Sequence, residues 1–289
     1  MTRAFAGLVT LMALVPARAD ESVVAPPPAP AVRAKLVKLD VREAARLVAM
    51  VWRADVVIVG GEAAEVTLDG DGAADARAAL EQVARAAGLE LVREGRLFVI
   101  GPHESVARVR GATRGAAGGK VTFDFLGVDG ERVMRLVGEI NKRAFDGKLA
   151  GSLSVLVRNF DSLAFARVLA RLAGGEARID KRRIAAEGIL PVSSLLDAPA
   201  CEPANGGDVQ PPSIPPRLRC LELAEIEVAA IASYGVNALA AVRGRAAGHR
   251  LVELVRRGDR LGDPPARIES IEPDALVLDG GARLPLARR

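Results

Sequence analysis

The chain has 289 residues, half of them apolar but only 3 % aromatic, with 40 basic and 36 acidic side chains and a formal net charge of +4. That length provides for two or three domains, with cores built from Leu, Val, Ile and Ala. A charge so nearly balanced excludes a protein that holds nucleic acid by neutralising phosphates.

"MTRAFAGLVTLMALVPARA" (1–19) joins a basic start at Arg3, an apolar run from Ala4 to Val15 and a small-x-small site at Ala17-Arg18-Ala19. This is the pattern of a secretory signal peptide cut between Ala19 and Asp20, so the mature chain is expected to be exported. Retention as an anchor is the other reading, but the run is shorter than the ~20 residues of a spanning helix. No integral span is expected in the mature chain. Cleavage would remove Arg3 and Arg18, so 38 basic side chains would face 36 acidic ones, a net of +2.

Residues 20–34, with "VVAPPPAPAVRA", read as an extended Pro-rich tether. A first folded block is expected over 35–101. "KLVKL" is a strand, and Ala44, Ala45, Val48 and Trp52 follow helical spacing. "DVVIV" is a buried-type strand stopped by Gly60-Gly61, and "AEVTL" is another. A helix over 73–87 carries Ala76, Leu80, Val83 and Ala87 on one face and stops at Gly88. "LELV" and "RLFVI" form a closing hairpin. Residues 102–119, rich in Gly and small side chains, read as a linker.

A second block over 120–187 repeats this order. "KVTFDFL" is a strand, and Asp129 caps a helix with Val133, Leu136, Val137 and Ile140 on its inner face. "SLSVLVR" takes the place of "AEVTL", and Asp161 caps a helix with Phe165, Val168, Leu169 and Leu172. Gly174-Gly175 stop it before the hairpin "EARID" and "RRIAA". Matching elements lie about 86 to 89 residues apart, which reads as a duplicated unit.

Residues 188–219 are a second Pro/Gly-rich tether. Cys201 and Cys220 could bridge the loop between them, worth ~3 kcal/mol of unfolded-chain entropy. Two free thiols are the alternative, although their spacing fits no zinc or CxxC pattern. From 220 to 289 short apolar runs alternate with Gly, Asp and Pro turns, the signature of a small β-sandwich or barrel.

Reactive constellations are scarce. His103 falls in the linker and His249 near a strand start, neither beside a nucleophile or acid that would recruit it. "DGDGAAD" (69–75) fails as a calcium loop, because Ala73 and Leu80 fall where oxygen ligands are needed. As a dinucleotide turn it puts Asp71 and Asp75 where positive potential is wanted, so it reads as a turn plus a helix cap. The RGD triplet in "VRRGDRLGDPP" reads as a hairpin turn, and "DKRRIAAEG" as a solvated edge strand. No catalytic, cofactor-binding or metal-ligating residue is expected.

The stretch from "DVREAARLVAMVWRADVVIVGG" through "VTL" and "AALEQVARAAGLELVREGRLFVIGP" resembles the short N-terminal domain of secretins and TonB-dependent transducers. Trp52-Arg53-Ala54-Asp55 stand where that family has a glycine-asparagine pair. "SLSVLVRNFDSLAFARVLARLAG" matches as a second copy with a degenerate closing hairpin. "LELAEIEV", "VRRGDRLGD" and "ARIESIEPDALVLDGG" are similar to the homology region of PilP and of its type II secretion counterpart. The resemblance implies an α+β chain: two βαββαβ(β) secretin-N-like modules, then a small all-β sandwich or barrel, joined by flexible linkers. It implies a non-catalytic periplasmic adaptor in type IV pilus biogenesis or type II secretion. Its partners would be secretin N-terminal domains and other pilus or secretion envelope subunits. The lipidation cysteine of the PilP family is absent, as is the long series of amphipathic strands that forms a secretin gate. Leu221, Leu223, Ile226 and Val228, on the first β-domain strand, are the expected contact positions, although their alternation also suits a core face. The alternative is a signalling module of the transducer type, and more remotely a cell-wall enzyme.

Overall fold

A computed structural model describes residues 33–191, 218 and 221–288, apart from 62–63, 72, 74, 116, 235–236 and 247–248. Among these residues the chain is α+β, with five α-helices and four sheets.

The first block runs β1 (Arg33–Asp40), α1 (Val41–Val51), β2 (Asp55–Ile58), β3 (Glu65–Asp71), α2 (Ala76–Ala86), β4 (Glu90–Glu94) and β5 (Leu97–Gly101). Each longer helix begins where a carboxylate satisfies a free amide. Asp40 accepts from the Arg42 amide at 2.8 Å, and Asp75 from the Ala78 amide at 2.8 Å. The chain leaves α2 through Gly88, at φ +69°, a conformation that costs glycine nothing. Strand β1 pairs antiparallel with β3, while β2 runs parallel to β5 and β4 antiparallel to it.

A short helix, α3 (His103–Ala107), leads to the second block: β6 (Lys120–Asp129), α4 (Gly130–Ile140), β7 (Ala144–Ala150), β8 (Ser152–Asp161), α5 (Ser162–Leu172), β9 (Arg178–Ile179) and β10 (Arg183–Ile189). Its pairings repeat those of the first: β6 antiparallel to β8, β7 parallel to β10, β9 antiparallel to β10. The repeat extends to atoms. Both first strands bulge, at Lys38 (φ +48°) and at Gly127 (φ +61°). In each the bulged amide donates to a hydroxyl on the neighbouring strand, Thr67 Oγ1 and Ser154 Oγ, both at 3.0 Å. One register solution is therefore used twice.

The third block is a meander, β11 (Glu227–Tyr234), β12 (Asn237–Ala246) and β13 (His249–Arg256), followed by a four-stranded antiparallel sheet of β14 (Arg260–Leu261), β15 (Ala266–Ile271), β16 (Ala275–Leu278) and β17 (Arg283–Pro285). Val228, Val242, Leu251, Ile268 and Leu276 are fully buried in the core these strands share.

Several expectations need correcting. The blocks are not beads on flexible linkers: β11 pairs with β1, and β8 pairs with β2, so two five-stranded sheets cross block boundaries. Core clusters cross with them, one joining Val57 and Val99 to Phe165 and Leu169, another joining Leu47 and Ile58 to Leu156 and Ala230. Residues 102–119 are not a free linker, because α3 and the following turns bury Val106, Val109 and Ala112. Residues 188–190 are not part of a free tether: Ile189 closes β10, and buried Leu190 donates its amide to the Ala150 carbonyl at 2.9 Å. On α4 the inner face is Val133, Met134 and Val137, with Ile140 exposed instead of buried. Strand β7 was not expected at all. The cleavage site at Ala19 and Asp20 and the cysteines Cys201 and Cys220 lie outside the described residues.

The caps differ in load. Asp161 accepts from the Leu163 and Ala164 amides and also from the Gly118 amide at 2.8 Å, whereas Asp75 holds a single amide. Asp75→Ala is expected to cost about 1 kcal/mol and Asp161→Ala about 2 kcal/mol. Urea-unfolding midpoints of the two variants check the order.

Candidate functional site

Two junctions show how the blocks of this chain hold one another. The first is between the duplicated blocks. Val56, Val57 and Ile58 of β2 lie opposite Leu156, Val155 and Ser154 of β8. Side chains alternate along a strand, so Val57 and Val155 enter one core cluster while Val56 and Leu156 enter the other. Polar contacts fix the ends. Asp55, which starts β2, accepts the Arg158 amide at 2.8 Å and pairs with Arg96 Nε at 2.9 Å. Arg96 also donates to the Arg158 carbonyl and lies 5.2 Å from the Phe160 ring centroid. On the other face Arg46 of α1 grips Asp124 of β6 through two bonds, 2.7 and 2.9 Å. Burial works against the Arg46 charge, but the hydrogen bond and charge of Asp124, helped by Glu43, outweigh it and raise its pKa.

The second junction joins the first and third blocks. Leu36, Lys35, Ala34 and Arg33 of β1 lie opposite Ala230, Ile231, Ala232 and Ser233 of β11. Here the bulge of β1 has a use. Its kink turns the carbonyls of Val37 and Lys38 outward, and Arg243 donates to both at 3.2 Å. Arg250 donates to the Lys38 carbonyl and pairs with Glu65. Glu227 takes Arg243 Nε at 2.6 Å; that bond, more than its burial opposes, holds the Glu227 carboxyl below its usual pKa.

Two concavities sit at these junctions, and Arg96, Arg243 and Arg250 of the seams help to line them. A cavity of about 460 Å³ is bordered by Lys38, Glu65, Glu227, Arg243, Arg245 and Arg250. One of about 250 Å³ is bordered by Glu94, Arg96, Lys120, Phe160 and Asp161. In the second, the Thr113 hydroxyl donates to the Glu94 carboxylate at 2.7 Å, and that carboxylate also accepts the Gly111 and Thr113 amides. Among the described residues no group of three or more His, Cys, Asp or Glu converges as a metal site. His103 sits on the surface with Nδ1 2.8 Å from Glu90, and of His249 only the strand position is described.

The expected contact positions are elsewhere than on an exposed strand. Leu223 lies in a 3-10 turn over Leu223–Glu225, and β11 begins only at Glu227. Leu221 and Ile226 are 5 % exposed and Val228 is fully buried, so alternation here marks the core of the third block. What the structure offers instead are strand edges without a neighbour among the described residues. Strand β7 ends the sheet β7-β10-β9, and β3 ends the sheet that contains β1. These two edges are the counterparts, in the other block, of the two strands that form the first junction. The sequence held one signal for β7: "AFDGKLA" lies 89 positions after the start of β2, and Phe145 and Leu149 keep its inward alternation. Asp146, Gly147 and Lys148 hid it.

Comparison with protein-family models, curated proteins and solved structures finds no match to this chain. No helix among the described residues is long and apolar enough to cross a membrane.

Glu94, at the end of β4, ties the α3 segment to the junction. It accepts the Gly111 amide at 2.8 Å, the Thr113 amide at 3.0 Å and the Thr113 hydroxyl at 2.7 Å. Burial opposes its ionisation, but these donors and nearby Arg114 prevail, and its pKa falls below the ordinary 4.5. A carboxyl depressed on folding adds stability above its unfolded pKa and loses it as pH falls through the folded one. Glu94→Gln is therefore expected to lower stability by about 1 kcal/mol at neutral pH, and by less below about pH 4, where wild type loses the same contribution. Urea unfolding of both proteins across pH 3 to 7 checks the convergence.

Proposed function

We propose that this protein is a non-catalytic assembly subunit that binds its partners by strand addition, serving as a periplasmic adaptor of a secretin-based machine. The observation that carries the reading is the first junction, where one block recognises another by extending its sheet. Strand addition draws affinity from main-chain hydrogen bonds and specificity from alternate side chains. The chain already uses that mode twice internally, at β2·β8 and β1·β11. Edges of the same kind have no neighbour among the described residues at β7 and β3. The partner class comes from the sequence resemblance, in which two secretin-N-like modules precede a PilP-like β domain. Type IV pilus biogenesis and type II secretion are the two machines that fit. In this reading the secretin N-terminal domain supplies the strand, and the fused blocks act as a rigid strut with a pairing edge at one end.

The test is titration of the full chain with a secretin N-terminal domain, followed by amide hydrogen exchange. Binding in the micromolar range with new protection across 144–150 is expected. No binding at several hundred micromolar, or binding that leaves both 144–150 and 65–71 unprotected, would overturn the reading.

A further inference from the structure

The duplication makes the first junction, in principle, open-ended. The paired strands of the two blocks map onto each other position by position. Leu36 opposite Leu68 and Lys35 opposite Asp69 become Phe125 opposite Val155 and Asp124 opposite Leu156. Val56 beside Phe98 and Val57 beside Val99 become Phe145 beside Ile184 and Asp146 beside Ala185. So β7 is the second copy of β2, and β3 is the first copy of β8. If β2 takes β8 within a chain, β7 can take β3 of the next chain by the same geometry. Repetition of a head-to-tail contact of this kind builds a ring or a filament.

The side chains at the open edges differ at the positions that decide the contact. Val57, which enters the neighbouring block's core, corresponds to Asp146. Leu156, which enters the core of the first block, corresponds to Asp69. Ile58 corresponds to Gly147, where a Cβ would stand 2.0 Å from the Ala186 carbonyl oxygen, so no apolar side chain can fill that place. A copied junction would set Phe145 against Asp69 and Asp146 against Leu68. Asp146, now 67 % exposed and 3.4 Å from Arg183, would leave water for an apolar face. Charge on an edge strand and the desolvation of buried carboxylates both oppose such pairing.

We propose that Asp69 and Asp146 are specificity residues that forbid a second copy of this chain at the β3 and β7 edges, stopping a self-complementary pairing scheme at two blocks. The inference stands on the internal repeat and does not require the partner named above. The junction can be rebuilt with the residues the chain uses inside itself: Asp69→Leu copies Leu156, and Asp146→Val copies Val57.

The experiment uses four full-length proteins in sedimentation velocity from 1 to 200 µM: wild type, Asp69→Leu, Asp146→Val and the double variant. Only the β7 edge of an Asp146→Val chain and the β3 edge of an Asp69→Leu chain make a repaired junction. Wild type and each single variant are therefore expected to stay monomeric. An equimolar mixture of the single variants is expected to form dimers and nothing larger, at concentrations at least about 100-fold below any self-association of either alone. The double variant, carrying both repaired edges, is expected to build larger species. Glu176→Leu, on an exposed position away from both edges, controls for added apolar surface and is expected to stay monomeric. The mixture keeps the proposal testable if the double variant fails to fold. Head-to-tail oligomers of wild type, a mixture that stays monomeric, or equal association by Glu176→Leu would each overturn it.

Discussion

Main-chain hydrogen bonding between the outer strands of separate blocks is the constraint on which the rest depends. A strand edge presents donors and acceptors that must be met by water or by another strand. Here β2 meets β8 and β1 meets β11, so the first block has no private sheet and the second keeps only β7-β10-β9 to itself. The hydrophobic clusters follow. Because β2 alternates faces, its side chains contribute to two cores at once, with Val57 in one and Val56 and Ile58 in the other. Four residues thus couple the packing of α1 to that of α5.

Arginine reinforces these seams. Arg46, Arg96, Arg243 and Arg250 each reach from one block to a carboxylate or carbonyl of another. A planar guanidinium with several donors suits a site where one side chain must satisfy both a carboxylate and the carbonyls of a kinked strand. Four of the 40 basic residues are thus spent on internal joints.

Four of the five helices were legible in the sequence, because capping aspartates and stop glycines act locally: Asp129, Asp161 and Gly88 mark boundaries without help from tertiary structure, whereas the short α3 has no such side-chain cap. The α+β class followed from the same punctuation. Strand β7 escaped because Asp146, Gly147 and Lys148 dilute its apolar pattern, and those residues answer to the sheet edge, not to an intrinsic strand preference. Pairing between blocks escaped for a different reason. "DVVIV" is apolar on both faces, which says it is buried twice but not by what. The alternation of Leu221, Leu223, Ile226 and Val228 was visible, yet a core face and a contact face look the same until a second sheet is seen to cover one of them.

The joint between β1 and β11 has a temporal side. Arg33 lies opposite Ser233, about 200 residues further along the chain, and ordering so long a loop delays contact formation. A chain emerging from its N-terminus shows the outer edge of β1 long before its neighbour exists. Until the last third has been synthesised, that edge is sticky, and any chain interrupted before β11 would keep it so. Completion of the C-terminal block is thus what covers the outer edge of β1.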